Sequence, residues 1–222
     1  MLYWLLYQKL FPHFPPFRIF RYVTFRTAFA SLTALFMGLI IGPAIIRQLR
    51  EFQIGQYIRE EGPAGHQKKA GTPTMGGVLI TIAIIVPTLL WADLSNPYIW
   101  LCIFATVAFG AIGFADDYIK VVHRRNLGLR GKMKLLLQFL AAGVVGVVLV
   151  GLTATRQYST HLMVPFLKQF RPDLAIDSLR HHPHLWFLAF TPFVLFVMLV
   201  LVGSSNAVNL TAVWTDWPSV AP

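Results

Sequence analysis

Five apolar runs alternate with polar or basic segments along the chain, and each run is long enough for a membrane-spanning helix. An α-helix rises 1.5 Å per residue, so a hydrocarbon core of about 30 Å needs roughly 20 residues. The pattern predicts spans at residues 25–46, 74–92, 98–115, 133–152 and 185–203. We therefore expect an all-α polytopic integral membrane protein that forms a single transmembrane domain over residues 1–222.

The composition supports a location in the lipid bilayer. Of the 222 residues, 56% are hydrophobic and 13% are charged, whereas soluble domains carry about 25% charged residues. The net charge is +10, but the basic residues gather between the apolar runs, which suits anionic lipid head groups and not nucleic acid. Cys102 is the single cysteine, so an intrachain disulfide or a site of several thiolates is excluded.

The distribution of Lys and Arg predicts which loops share a side of the membrane. Loops 47–73 and 116–134 carry five and six basic residues, against none in the turn at 93–97 and four in loop 153–184. Basic loops remain on the cytoplasmic side. We therefore expect both basic loops, and the segment after the fifth span, to face the cytoplasm. The N-terminal segment, with Lys9, Arg18 and Arg21, departs from this pattern.

Two adjacent acids, Asp116 and Asp117, directly follow the third apolar run, and six basic residues follow them. Neighbouring helical residues point about 100° apart, so each acid can face a different ligand. Carboxylate oxygens beside phosphate suit Mg²⁺, which makes the pair a candidate metal and polyphosphate site. The alternative is that both acids only form ion pairs with Lys120, three and four residues further along the helix.

Two further segments carry candidate chemistry. The first, HQKKAGTPTMGG at residues 66–77, offers lysines and N–H groups to an anion, or it only anchors a helix start with Thr72 or Thr74 as the N-cap. The second holds Asn206 and Asn209, which share one helix face at a spacing of three. These amides could bind a pyrophosphate, a ribose or a base edge, or they could form hydrogen bonds between helices.

Three stretches together resemble the phospho-N-acetylmuramoyl-pentapeptide transferases, a bacterial branch of the polyprenyl-phosphate N-acetylhexosamine-1-phosphate transferases. The stretches are HQKKAGTPTMGGVLI, GFADDYIKVV and GSSNAVNLT, and the resemblance extends from about residue 1 to Thr211. It implies transfer of phospho-N-acetylmuramoyl-pentapeptide from its UDP-linked precursor to undecaprenyl phosphate, giving lipid I and UMP. It also implies Mg²⁺ as cofactor, the bacterial inner membrane as location, and an active face towards the cytoplasm.

The resemblance also implies roles for individual residues. Asp116 would deprotonate or position the lipid phosphate, Asp117 would bind the metal and the pyrophosphate, and Lys69 would bind phosphate. These three are the expected catalytic residues. The expected substrate-binding residues are His66, Lys68, Thr74, Asn206 and Asn209.

The chain departs from the family pattern after Thr211. The family continues its asparagine motif with an acid three residues after the second asparagine, where this chain has Ala212. Reading possible codons for residues 213–218 two bases later gives Leu-Asp-Gly-Leu-Ala, which resembles the family. We therefore expect that a frameshift near residue 212 produced an aberrant tail at 212–222 and a C-terminally truncated chain. A further metal-binding aspartate and a histidine-rich loop of the family lie beyond this point, so we expect the chain to be inactive.

Other functional classes remain open from the sequence. A small proton- or ion-coupled transporter subunit could use the acidic pair as a relay, although transporters place such groups nearer to the middle of the membrane. An inactive scaffold fragment is a further alternative. The glycines of the first span, Gly38 and Gly42, form a close-approach motif that we assign to helix packing and that leaves room for a homodimer.

Overall fold

The computed structural model describes residues 1–52, 76–123, 128–154, 158–164, 166–167, 169–180 and 186–215. The α-helices in this part of the chain are α1 (Val23–Phe52), α2 (Gly77–Trp91), α3 (Pro97–Val122), α4 (Gly131–Ala154), α5 (Asp177–Arg180) and α6 (Thr191–Thr215). A π-helix, Trp4–Leu10, and two 3₁₀-helices, Pro15–Arg21 and Trp186–Phe190, complete the helical elements. The described residues include no β-strand, and the all-α prediction is confirmed.

Apolar helices dominate the described residues, and four stretches are long and apolar enough to cross a membrane. These stretches are Val23–Leu49, Pro97–Val122, Gly131–Thr153 and Phe187–Val208, and Gly77–Trp91 is a shorter apolar helix. Large apolar side chains such as Ile40 and Leu199 are exposed on their outer faces. Such faces cost nothing against lipid tails, which are as apolar as the side chains. The chain is thus a multi-pass membrane protein.

Several helices continue beyond the apolar runs that predicted them. Helix α1 ends at Phe52 instead of residue 46, α3 ends at Val122 instead of residue 115, and α6 ends at Thr215 instead of residue 203. Hydropathy marks where hydrocarbon gives way to the polar interface, whereas backbone hydrogen bonds can extend a helix into that interface. The acidic pair and Asn206 therefore lie within helices and not in loops.

The chain divides into two compact units, Met1–Arg130 and Gly131–Pro222, so the predicted single domain stays a prediction. In the first unit, α1 and α2 pack antiparallel. The indole Nε1 of Trp91 donates a hydrogen bond to Thr33 Oγ1 at 3.0 Å, and a Cβ placed on Gly42 would lie 3.5 Å from Leu79. The packing interpretation of the glycine motif therefore holds at Gly42, and the homodimer stays a prediction.

A tight turn between Trp91 and Pro97 sets α3 antiparallel to α2. Asp93 Oδ1 accepts hydrogen bonds from the backbone N–H and the hydroxyl of Ser95, at 3.1 and 2.7 Å. Asn96 Oδ1 accepts from the N–H of Tyr98 at 2.9 Å, and Pro97 occupies the first turn, a favourable start for a helix. The far ends of α1, α2 and α3, near Phe52, Gly77 and Val122, therefore lie at the same end of this unit.

In the second unit, α4 and α6 pack antiparallel along a stripe of glycines on α4. A Cβ placed on Gly143 would lie 3.6 Å from the Met198 methyl group, and one on Gly146 would lie 3.0 Å from Val194 Cγ1. Small residues allow such close approach, which is the main source of helix association in lipid. The buried side chains Ala142, Val145 and Val202 belong to the same two helices.

Replacing Gly146 by valine should therefore weaken this helix pair. We expect the substitution Gly146→Val to destabilise the protein by about 1–3 kcal/mol, because the added atoms overlap Val194. Gly151→Val is the matched control, since a Cβ on Gly151 meets no atom within 4 Å. The measurement is the thermal midpoint of each purified variant in the same detergent. Equal midpoints for the two variants would contradict the packing described.

Candidate functional site

The acidic pair lies near the end of α3 that is remote from the 93–97 turn. Asp116 follows Pro97 by 19 residues, which corresponds to a rise of about 29 Å along the helix. This distance is close to the thickness of the hydrocarbon core. If Pro97 lies at one interface, Asp116 lies at the opposite one. Both acids are then at the water boundary, where a carboxylate costs far less than at mid-membrane.

Lys120 joins the two carboxylates. Its Nζ lies 2.6 Å from Asp116 Oδ2 and 3.1 Å from Asp117 Oδ1. The three side chains differ in exposure, with 12% for Asp116, 31% for Asp117 and 33% for Lys120. The ion-paired arrangement that the helical spacing predicted is therefore present. It is compatible with a binding role, because a bound cation or phosphate could compete for the same groups.

A backbone contact from beyond the end of α3 holds the second oxygen of Asp116. The N–H of Leu129 donates to Asp116 Oδ1 at 2.8 Å. Gly128 lies so close that a Cβ placed there would be 2.7 Å from the Asp116 carbonyl oxygen and 2.8 Å from its Cγ. Only glycine fits this position without displacement, since real Cβ contacts are longer. The chain thus folds back onto Asp116, a contact that no pattern in the sequence predicted.

The two acids are consequently unequal. Asp116 is buried, and its two oxygens accept from Lys120 and from Leu129. Asp117 is more exposed, and its contacts within the described residues are those with Lys120. A carboxylate held on both oxygens is suited to orienting a ligand, whereas a more exposed one can still enter the coordination shell of a metal. Geometry therefore distinguishes two side chains that are identical in residue type and adjacent in the sequence.

The donor set is compatible with Mg²⁺ but incomplete. Mg²⁺ takes one or two carboxylates from a protein and shares its other positions with water and phosphate, and Asp117 offers a carboxylate of this kind. Among the described residues, no cluster of three or more His, Cys, Asp or Glu side chains could hold a metal ion. Any Mg²⁺ held by Asp117 would take its other ligands from water and phosphate oxygens.

Four predicted site residues lie outside the described residues: His66, Lys68, Lys69 and Thr74. The described helices that flank them are α1, which ends at Phe52, and α2, which begins at Gly77. These helix ends lie at the same end of the first unit as the acidic pair.

The second unit places Asn206 in a polar contact between α4 and α6. Asn206 Nδ2 donates to Gln138 Oε1 and to the Val202 carbonyl oxygen, both at 2.8 Å. The hydrogen bond between helices that we considered for this amide is therefore present. Asn209 lies in the same helix, but its side chain is outside the described part of the chain.

Gln138 is a second polar residue of this contact, and it was not among the residues predicted from the sequence. It is buried, with 2% of its surface exposed, and it also donates from Nε2 to Ser205 Oγ at 3.4 Å. The available signal was a lone amide within the apolar run 133–152, five residues after its start. Polar side chains inside membrane spans usually pair with other polar groups.

Two family models match the chain. The model described as glycosyl transferase family 4 matches residues 99–214, which include Asp116, Asp117 and Asn206. The model described as phospho-N-acetylmuramoyl-pentapeptide-transferase signature 1 matches residues 69–80, which include Lys69 and Thr74. The two matches contain GFADDYIKVV, GSSNAVNLT and all but the first three residues of HQKKAGTPTMGGVLI.

Several curated relatives are named phospho-N-acetylmuramoyl-pentapeptide-transferase. The chain is 69% identical to the relative from Koribacter versatilis over 213 residues, which are 95% of this chain and 56% of the relative. It is 70% identical to that from Acidobacterium capsulatum over 184 residues, 83% of this chain and 49% of the relative. It is 56% identical to that from Solibacter usitatus over 211 residues, 95% and 56% respectively. The chain spans about half the length of these relatives, and the matches do not favour a transporter.

The contact between Gly128 and Asp116 can be tested by adding one methyl group. We expect Gly128→Ala to lower stability by about 1–3 kcal/mol, because the new Cβ would overlap Asp116 and push the Leu129 N–H away. Gly113→Ala, on the same helix as Asp116, is the control, since a Cβ there meets no atom within 4 Å. Thermal midpoints of the purified variants provide the measurement. A midpoint for Gly128→Ala at or above that of Gly113→Ala would show that the chain does not fold back as described.

Proposed function

Because the chain belongs to glycosyl transferase family 4, we propose that it acts in the first membrane step of peptidoglycan synthesis. The reaction moves phospho-N-acetylmuramoyl-pentapeptide from UDP-N-acetylmuramoyl-pentapeptide to undecaprenyl phosphate. A phosphate oxygen of the lipid forms a bond to the β-phosphorus of the nucleotide, the bond to the bridging oxygen breaks, and UMP leaves. The products are lipid I and UMP. The observation that carries this proposal is the 69% identity, over 95% of the chain, to a relative named phospho-N-acetylmuramoyl-pentapeptide-transferase.

The site supports phosphoryl transfer because such reactions depend mainly on positioning and on neutralising charge. We assign Asp117 to the metal and the pyrophosphate, since it is the more exposed acid. We assign Asp116 to orienting the lipid phosphate, since both its oxygens are held. A bound Mg²⁺ would neutralise the charge of the pyrophosphate. Lys69 would be the third catalytic residue.

The remaining candidates are proposed to bind the substrate. His66, Lys68 and Thr74 belong to the segment that includes the transferase signature, where cations and N–H groups suit phosphate. Asn206 and Asn209 are assigned to the nucleotide. The two partners are then a soluble uridine nucleotide and a lipid in the bilayer, so the site must lie at a membrane interface.

The proposed location is the bacterial inner membrane, with the active face in the cytoplasm. The charge asymmetry of the loops supports this orientation.

The separate roles of the two acids predict different responses to amide substitution. The measurement uses a fusion protein. It joins residues 1–211 of this chain to the part of the Koribacter versatilis relative that follows the counterpart of residue 211. We expect Asp117→Asn to raise the Mg²⁺ concentration needed for half-maximal UMP release by about 10–100-fold, the usual effect of disturbing a metal site. We expect Asp116→Asn to lower the maximal rate by about 100-fold without changing that concentration, as for other transition-state contacts.

Asp93→Asn is the control for this experiment, because Asp93 lies in the turn at the opposite end of α3. Its rate and Mg²⁺ requirement should match those of the unmodified protein. An unchanged rate in both Asp116→Asn and Asp117→Asn would refute the proposed site. No UMP release from the fusion protein without substitutions, with the active full-length relative measured alongside, would refute the proposed function.

The proposed orientation predicts opposite accessibility at the two ends of α3. In a Cys102→Ala background, which removes the single cysteine, cysteines are introduced as Ser95→Cys and His123→Cys. We expect a membrane-impermeant maleimide to label the first variant in intact spheroplasts, because the 93–97 turn carries no basic residue. The second should be labelled only after the membrane is opened. The reverse pattern would place the acidic pair on the outer face.

A further inference from the structure

The contact between Gln138 and Asn206 determines which atom of the Asn206 amide is left for a hydrogen bond with a ligand. An asparagine amide has two N–H donors and one carbonyl acceptor. The Nδ2 atom of Asn206 lies 2.8 Å from Gln138 Oε1 and 2.8 Å from the Val202 carbonyl oxygen. Both donors therefore have partners on α4 and α6, and the carbonyl Oδ1 remains as the group to present to a ligand.

The opposite orientation of the Asn206 amide is disfavoured by its surroundings. Turning the amide over would bring Oδ1 against the Val202 carbonyl oxygen, and two acceptors cannot form a hydrogen bond. Gln138 is compatible with this orientation, because its Oε1 accepts from Asn206 Nδ2 while its Nε2 lies 3.4 Å from Ser205 Oγ, which can accept a hydrogen bond. Since Gln138 is buried, water does not readily replace it as the acceptor.

We propose that Gln138 is a positioning residue that presents Asn206 Oδ1 to a hydrogen-bond donor of the nucleoside, a hydroxyl or an N–H group. Asn206 Oδ1 then forms its hydrogen bond with the uridine and not with phosphate oxygens, which at neutral pH are acceptors and cannot donate to Oδ1. This inference rests on the proposed function, which supplies a uridine nucleotide as substrate. It extends that function by adding Gln138 and by assigning Asn206 to one part of the nucleotide.

The competing explanation is that Gln138 only joins α4 to α6. Hydrogen bonds between membrane helices stabilise a protein modestly, and many serve no ligand. The two explanations differ in what they predict for binding. A purely structural contact affects all ligands of the site alike when it is removed, whereas a positioning contact affects only ligands that use Asn206 Oδ1.

The test measures binding of three probes to the 222-residue chain in lipid nanodiscs with Mg²⁺. The probes are UMP, uridine and inorganic pyrophosphate, and the variant is Gln138→Leu. We expect the dissociation constants of UMP and uridine to rise by about fivefold to tenfold, the usual effect of losing one hydrogen bond, with pyrophosphate unchanged. Gln138→Glu should restore uridine binding at least partly, because a carboxyl oxygen can also accept from Asn206 Nδ2. In an Asn206→Ala background, Gln138→Leu should have no further effect.

Val145→Ala is the control for helix packing, because Val145 is buried on the same helix and takes no part in the polar contact. It should lower the thermal midpoint while leaving the relative affinities of the three probes unchanged. Equal UMP affinities for Gln138→Leu and the unmodified chain would overturn the inference, as would an equal loss of pyrophosphate binding. If the unmodified chain binds neither UMP nor uridine, the proposed function fails and the inference falls with it.

Discussion

The ion pairs of Lys120 with Asp116 and Asp117 allow two adjacent carboxylates to lie within one helix near the end of α3. Two adjacent carboxylates at the edge of a hydrocarbon layer repel one another and lose hydration, so they need a nearby positive charge. Lys120 supplies that charge from one helical turn away, at 2.6 and 3.1 Å. The helix can therefore continue through the pair to Val122. The Lys120 ammonium holds the two carboxylates in place when no ligand is bound. A metal ion would compete with it for the carboxylates, and a phosphate would compete with the carboxylates for the ammonium.

Both polar clusters follow the same physical rule. In lipid, apolar side chains gain little by packing together, and close contacts and hydrogen bonds hold helices in place. Asp116 accepts a hydrogen bond from the backbone N–H of Leu129, and Asn206 donates one to Gln138 on the neighbouring helix. In each case the residue with candidate chemistry has its orientation set by a residue with none. That arrangement orients a ligand-binding group with little loss of conformational freedom on binding.

The sequence predicted the helices well and their ends poorly. Apolar runs locate the segments that hydrocarbon can accept, but α3 and α6 continue for several residues beyond their runs, because local pairing and backbone hydrogen bonds keep them helical. The ion pair of Asp116 with Lys120 was predictable, since it depends on helical spacing alone. The Leu129 contact was not predictable, because it spans 13 residues and a change of direction after the helix. Nor was the partnership of Gln138 with Asn206, which is 68 residues distant.

The difference between these cases lies in what a residue type reveals. Acids, lysines and paired asparagines stand out in an apolar chain, because each costs free energy there unless it has a purpose. Gly128 is important because it has no side chain, and only the structure shows that a Cβ placed there would lie 2.8 Å from Asp116 Cγ. Gln138 matters through the direction of one oxygen. Charged and polar residues make such a site visible in the sequence. Its selectivity depends on the neutral residues that orient those side chains, as Leu129 orients Asp116 and Gln138 orients Asn206.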